Sequence, residues 1–403
     1  TLNDTKLRLF KTKTFNSDNA RYSLSDPIYV DPTEVDFSGD TKYYFQSESI
    51  YYDQTNQKLA TTSGSGDITI YQVTGATKTT GTTEWNGVSY DSITYNLSAT
   101  TLTETELETD KSDKGLYQGT DDYGTTYYYR GNVKNNIVQF AGYYWQIIRI
   151  NGDGTIRLLY NGTEKNASGV KQSINNRTYQ FNSKYNDPAY VGYMYGNPDA
   201  TIFAEVHTNT NDSSIKTTLD SWYNTNIEDK GYSSYISNAV GFCGDRSLPA
   251  SVWGTNNNGD GVNNTPRTSI FGAYARYVKN VAQFTCPEPS RDLYTTADSS
   301  IGNKALTYPV GLITYDELVF AGMDNRHINK LSWAYSTQHY WTMSPSYFNA
   351  AGGLAIEWYL NSAGYLSGTW VTYGLGARPV INLKSDTLIT GGIGTGSDPF
   401  VVG

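Results

Sequence analysis

The chain is short of charge, histidine and cysteine, and each shortage removes a class of function. Only 17% of its 403 residues are charged, against about a quarter in ordinary soluble domains. Lysine and arginine total 30 against 39 aspartates and glutamates, for a net charge of −9 and a pI near 4.9. With no basic patch to neutralise phosphates, nucleic acid is excluded as a partner. The histidines, His207, His327 and His339, are scattered and read as surface or packing residues, since a metal centre or proton relay needs company. No apolar run approaches the ~20 residues of a membrane span, so no transmembrane segment is expected. The sequence begins at Thr1 without an initiator Met or signal peptide, and a leader or anchor removed by processing is compatible with that start.

What the chain has is aromatic residues on a polar background. Tyr alone accounts for 36 positions, and 14% of residues are aromatic although only 38% are hydrophobic. Tyrosine packs apolar area while keeping a hydroxyl for water or a ligand, which suits thin β layers and recognition surfaces. Cys243 and Cys286 are read as a disulfide of an oxidising compartment, the other reading being two buried free thiols.

The first hundred or so residues read as all-β. Thr5–Thr14 sets Leu7 and Leu9 on one side of a strand, and Thr41–Phe45, Ile68–Val73 and Val88–Leu97 follow between Gly, Ser and Asn turns. Glu104–Lys114 is dense in charge and marks the boundary between a β-rich domain at 1–110 and a second region at 111–403. There a hairpin is expected within Tyr127–Tyr160, where Ile148 and Ile150 enter Asn151-Gly152-Asp153-Gly154, and Ile156 and Leu158 leave it. Helices are expected after Asp212 or Ser213, over Ser269–Lys279, and at Thr314-Tyr315-Asp316-Glu317, a capping box that explains its own carboxylates. Thr255–Asn264 reads as a polar loop. Within it Asn256, Asn258 and Asp260 have the alternation of a calcium loop but no glutamate at the twelfth position, so calcium is a weak candidate and no other cofactor is expected.

From about Gly115 onward the chain carries ordered landmarks: YYYRGNVKNN, FAGYYWQIIRINGDGTIRLLYNGT, IKTTLDSWY, FCGDRS, TCP, ALTYPVGLITYDELVFAGM, YWTMSPS, GARPVINLK and GIGTGSDPFVV. Together they resemble a family of Gram-positive, Firmicutes-type surface or pilin-like proteins. The closing region resembles the C-type-lectin-like fold, shared with formylglycine-generating enzymes and retroelement variable proteins. The resemblance implies an α+β architecture in which a β-rich domain precedes a C-type-lectin-like mixed domain with long loops. A loop-rich insertion is expected at about 165–300. It further implies an extracellular, cell-surface location and a role in binding or display.

Within that region Trp341, beside Ser344-Pro345, reads as an anchor where the chain must turn. Arg378, after Gly376 and before Pro379, reads as a scaffold cation held by carbonyls or a carboxylate at an edge strand. Thr314 and Glu317 are structural through their capping box. Tyr347, Phe348, Asn349, Trp358, Tyr359, Asn361, Tyr365, Trp370 and Tyr373 form an aromatic and amide set fit for grasping a glycan or protein loop, though part of the set also reads as core. The favoured function is non-catalytic adhesion or ligand display. The alternatives are a filament or pilus subunit, polymerising through the strand at Leu7 and Leu9, and a phage tail receptor-binding protein. Hydrolysis would need a carboxylate pair, and Glu357 stands alone in sequence within the aromatic face.

Overall fold

The computed structural model describes residues 6–16, 21–46, 49–53, 58–62, 70–85, 88–102, 115–249, 259–263 and 268–402. The chain divides into two compact units, Thr1–Leu107 and Glu108–Gly403. The charged segment Glu104–Lys114 lies outside the described residues.

The first unit holds an antiparallel five-stranded sheet in the order Arg21–Val30, Leu7–Asn16, Tyr43–Gln46, Ile70–Trp85 and Val88–Leu102, and a separate two-stranded pair of Ser49–Asp53 with Lys58–Thr62. Leu9, Phe10, Tyr44 and Val73 are buried in the unit, among the described residues. The strand holding Leu7 and Leu9 has partners on both sides within the unit. It pairs along its length with Arg21–Val30, and Phe10 faces Tyr44 on its other side. The strand therefore lies inside the sheet order rather than at its end.

The second unit is built mainly on two sheets around a large apolar core, with a smaller apolar cluster at Ala189, Ala200, Val206 and Val262. The larger runs in the order Val380–Leu383, Ile156–Tyr160, Tyr143–Ile150, Ile137–Phe140, Phe400–Val402 and Ile389–Gly391. The hairpin Leu116–Asp121/Gly124–Tyr129 joins it through Tyr127 and Tyr128, opposite Ile150 and Arg149. The expected hairpin forms with Ile150 opposite Ile156, and Gly154 takes the positive φ of 87° that its turn requires. The second sheet runs Thr178–Tyr179, Leu375–Gly376, Tyr340–Asn349, Leu354–Leu360 and Leu366–Trp370, with Ser269–Ile270 paired to the Tyr340–Asn349 strand. Trp145, Tyr160, Trp341, Tyr340 and Leu360 lie in the continuous core that these sheets share.

Between Asn161 and His339 every described strand is only two residues long. The helix Ser214–Tyr223 is capped by Ser213, whose hydroxyl accepts from the Lys216 amide, and Ile215, Leu219 and Trp222 turn inward. Over Ser269–Lys279 the helix is confined to Gly272–Lys279, because Ser269–Ile270 is taken up as a strand. The helix Tyr315–Phe320 carries the reciprocal Thr314–Glu317 capping box.

Trp341 is fully buried, its Nε1 donating to the Tyr179 carbonyl at 2.7 Å. The chain does not turn at Ser344-Pro345, as expected from sequence; the strand continues to Asn349 through register shifts on either side of Pro345. Bulges of this kind accommodate a residue that has no N–H to give the ladder. Overall the fold is a β-dominated α+β arrangement.

Cys243 and Cys286 form a disulfide across 43 positions. Closing a loop of that length stabilises by about 4 kcal/mol in the chain-entropy account. Replacing both cysteines with alanine is therefore expected to lower the unfolding free energy of the second unit by several kcal/mol, read by denaturant titration. An unchanged midpoint would show that the bridge constrains nothing.

Candidate functional site

The nine aromatic and amide positions separate into three groups. Phe348 and Trp358 are each only 3% exposed and belong to the core. The Trp358 ring lies against Tyr274, Tyr277 and Tyr315, because the Gly272–Lys279 helix covers that part of the sheet. These two are removed from the set of ligand contacts.

The second group is half-buried and largely occupied with itself. Asn361 Nδ2 donates to the hydroxyls of Tyr359 and Tyr365 at 3.1 and 3.2 Å, and its Oδ1 accepts from the Ala363 amide. His339 lies against Tyr359 and accepts from the Ser362 amide, with burial pushing its pKa down. Tyr347 rests against Tyr274, and Asn349 closes a turn by accepting from Gly352.

The third group is exposed. Trp370 and Tyr373 are 41% and 50% accessible, with ring planes 1° apart and centroids 5.5 Å apart. The turn that carries them is fixed from below. Val371 between them is fully buried, the Asn182 amide donates to its carbonyl at 3.0 Å, and Gln180 Nε2 donates to the Thr372 carbonyl at 2.8 Å. Tyr373 N in turn donates to the Trp370 carbonyl. Two parallel rings on an anchored turn make a rigid aromatic platform.

Sequence reading missed a buried ionic network. Arg149 and Arg157 face each other across the hairpin, and Glu317 lies against both, with Arg157 Nε at 2.6 Å and Arg149 Nε at 3.2 Å. Arg149 also pairs with Asp121. Burial alone would raise the Glu317 carboxyl, but Arg157 and Arg149 outweigh it and hold its pKa below the usual range. Nearby Arg276 binds Asp245 and Asp316, each at 2.6 Å. These groups enclose only about 20 Å³, room for roughly one water. The signal in the sequence was two arginines placed within otherwise apolar strand residues.

Arg378 is also buried. Its Nε donates to the Tyr160 carbonyl, and its Nη2 donates to Gln146 Oε1 and Asn161 Oδ1. Carbonyl and amide oxygens hold it, beside the Val380–Leu383 strand, whose outer side is bridged by Gly311 and Ile236. Glu357 is different: it is fully buried, and neither carboxyl oxygen meets a hydrogen-bond donor. Burial raises its pKa well above the ordinary glutamate value. His207, also fully buried, is pushed down to about 3 by burial and is tied through Nε2 to the Gly261 carbonyl.

Of the calcium candidates, Asn256 and Asn258 lie outside the described residues. Asp260 is exposed, and its Oδ1 accepts from the Val262 amide in a local turn. Among the described residues no cluster of His, Cys, Asp or Glu could hold a metal ion, and no helix is long and apolar enough to cross a membrane. No family model, curated protein or solved structure matches the chain.

Two variants probe the buried acids. Glu317→Gln leaves Arg149 and Arg157 facing each other without their shared anion, and is expected to cost about 3–5 kcal/mol of stability; a loss within 1 kcal/mol would remove the network from its structural role. Glu357→Gln should behave oppositely and in a pH-dependent way. The folded carboxyl keeps its proton above the value of 4.5 at which the unfolded chain releases it. The native protein therefore loses stability as pH rises from that point. The variant should gain on it by up to about 1.4 kcal/mol per pH unit, measured as unfolding free energy from pH 4 to pH 8. A gap that stays constant with pH would mean the carboxyl has a partner.

Proposed function

We propose that the protein is an extracellular, non-catalytic recognition protein that binds a glycan through the Trp370–Tyr373 platform of its C-terminal unit. The exposure and parallel alignment of these two rings on an anchored turn is the observation that carries the reading. Flat aromatic faces offer apolar area to the C–H face of a sugar ring, and a pre-fixed turn avoids the entropy cost of ordering them on binding. The disulfide fits an oxidising compartment. The motif resemblance to Gram-positive surface proteins with a C-type-lectin-like closing domain supports display at a cell surface.

A second reading, as the subunit of an extracellular filament, draws on a different strand from the one the sequence suggested. Val88–Leu102 ends the strand order of the first unit's sheet and is 15 residues long, with no lysine or proline along it. Such residues usually protect an edge from pairing with another chain.

Glycan-array binding of the native chain, Trp370→Ala and Tyr373→Ala tests the first reading. Each variant should weaken binding about tenfold or more while unfolding within roughly 0.5 kcal/mol of the native protein, as exposed positions do. Binding that survives both substitutions, or no glycan bound by the native chain, would overturn it.

A further inference from the structure

A separate feature of the C-terminal unit is an open cleft of about 470 Å³. That is within the range of small-molecule sites, about 300–1,000 Å³. One wall is the end of the Ser214–Tyr223 helix and the chain that follows it to Asn238; the other is the segment from Thr296 to Pro309. None of the aromatic and amide positions discussed above lines it.

The walls are tied to each other. Thr296 Oγ1 donates to the Asn238 carbonyl at 2.7 Å, and Asn238 Nδ2 donates to Asp298 Oδ2 at 3.2 Å. Ser299 Oγ donates to the Ala239 carbonyl at 2.7 Å. At the other end the Tyr308 hydroxyl donates to Asn224 Oδ1 at 2.7 Å, and its ring rests on the buried Tyr223, with centroids 5.3 Å apart. The cleft therefore exists before any ligand arrives, which spares the ordering cost of closing walls on a guest.

Its chemistry is one-sided. The half-buried Tyr308 supplies apolar surface, backed by the buried Leu306 and Pro309, and around it stand hydroxyls, the Asn238 amide and the exposed carboxylates of Glu228 and Asp298. Among the described residues, no lysine, arginine or histidine lines it. The basic residues nearest in sequence, Lys230 and Lys304, are exposed and stand outside the lining. Carboxylates without a basic counterpart repel anions and accept from hydroxyl and ammonium donors. A ligand that presents an apolar face, many hydroxyls and a positive charge satisfies all three features together.

We infer that this cleft is a second binding site, specific for a short amino sugar with a free, protonated amine. Tyr308 takes the apolar face of a sugar ring, and Glu228 and Asp298 take the ammonium and neighbouring hydroxyls. The inference does not depend on the Trp370–Tyr373 platform, and the two sites have separable tests.

Isothermal titration of the full chain at pH 6 with three disaccharides of matched size provides the experiment: a β-1,4-linked glucosamine dimer, cellobiose, and a glucuronate-containing disaccharide. The expected order is glucosamine dimer over cellobiose by about fivefold or more, from pairing to exposed carboxylates, with the anionic sugar not bound. The Glu228→Gln/Asp298→Asn double variant should bind both uncharged and amine-bearing sugars equally. Tyr308→Leu should weaken both, and Trp370→Ala neither. No saturable binding of the glucosamine dimer overturns the inference. So does equal affinity for the anionic sugar, or an amine preference that survives the double variant. Loss of the binding in Trp370→Ala would assign it to the other face and equally overturn the cleft as its site.

Discussion

Two arginines directly opposite each other on adjacent strands repel, and an anion placed between them turns that repulsion into attraction. Arg149 and Arg157 occupy such positions, and Glu317 is the anion. Its carboxylate has a second task, since Oε2 accepts from the Thr314 amide and closes the capping box of the Tyr315–Phe320 helix. One side chain thus fixes a helix start against a hairpin far away in sequence. Through Arg149 it also reaches Asp121 at the turn of the Leu116–Tyr129 hairpin. The geometry of each partner depends on the others, because an unpaired charge at this depth is far costlier than a missing apolar contact.

Much of the fold could be read from local chemistry. The Asn-Gly and Asp-Gly turn, the Ser213 cap and the Thr314–Glu317 box each state their structure within a few residues. The cysteine pairing was likewise legible, because the chain holds only two. What could not be read was which strand stood at an edge. Leu7 and Leu9 announce a strand, but nothing nearby announces that Arg21–Val30 and Tyr43–Gln46 flank it.

The aromatic face shows the same limit at the level of single residues. Trp358 and Trp370 lie on neighbouring strands, yet one is buried and the other exposed. The difference comes from Tyr274 and Tyr277, carried on a helix far upstream that lies over Trp358. No pattern within Tyr340–Asp386 encodes that cover. The cleft beside Tyr308 escaped for a related reason: its two walls are distant in sequence and individually resemble ordinary polar loops.

The Cys243–Cys286 bridge encloses the whole polar stretch Thr255–Asn264 within a covalent ring. A single peptide cleavage inside that ring opens the ring without parting the chain. The pieces on either side would migrate as one species until a reductant separated them. Damage there would stay hidden in any assay that leaves the sulfur–sulfur bond intact, and the cut molecule would keep both flanking parts of its C-terminal unit attached.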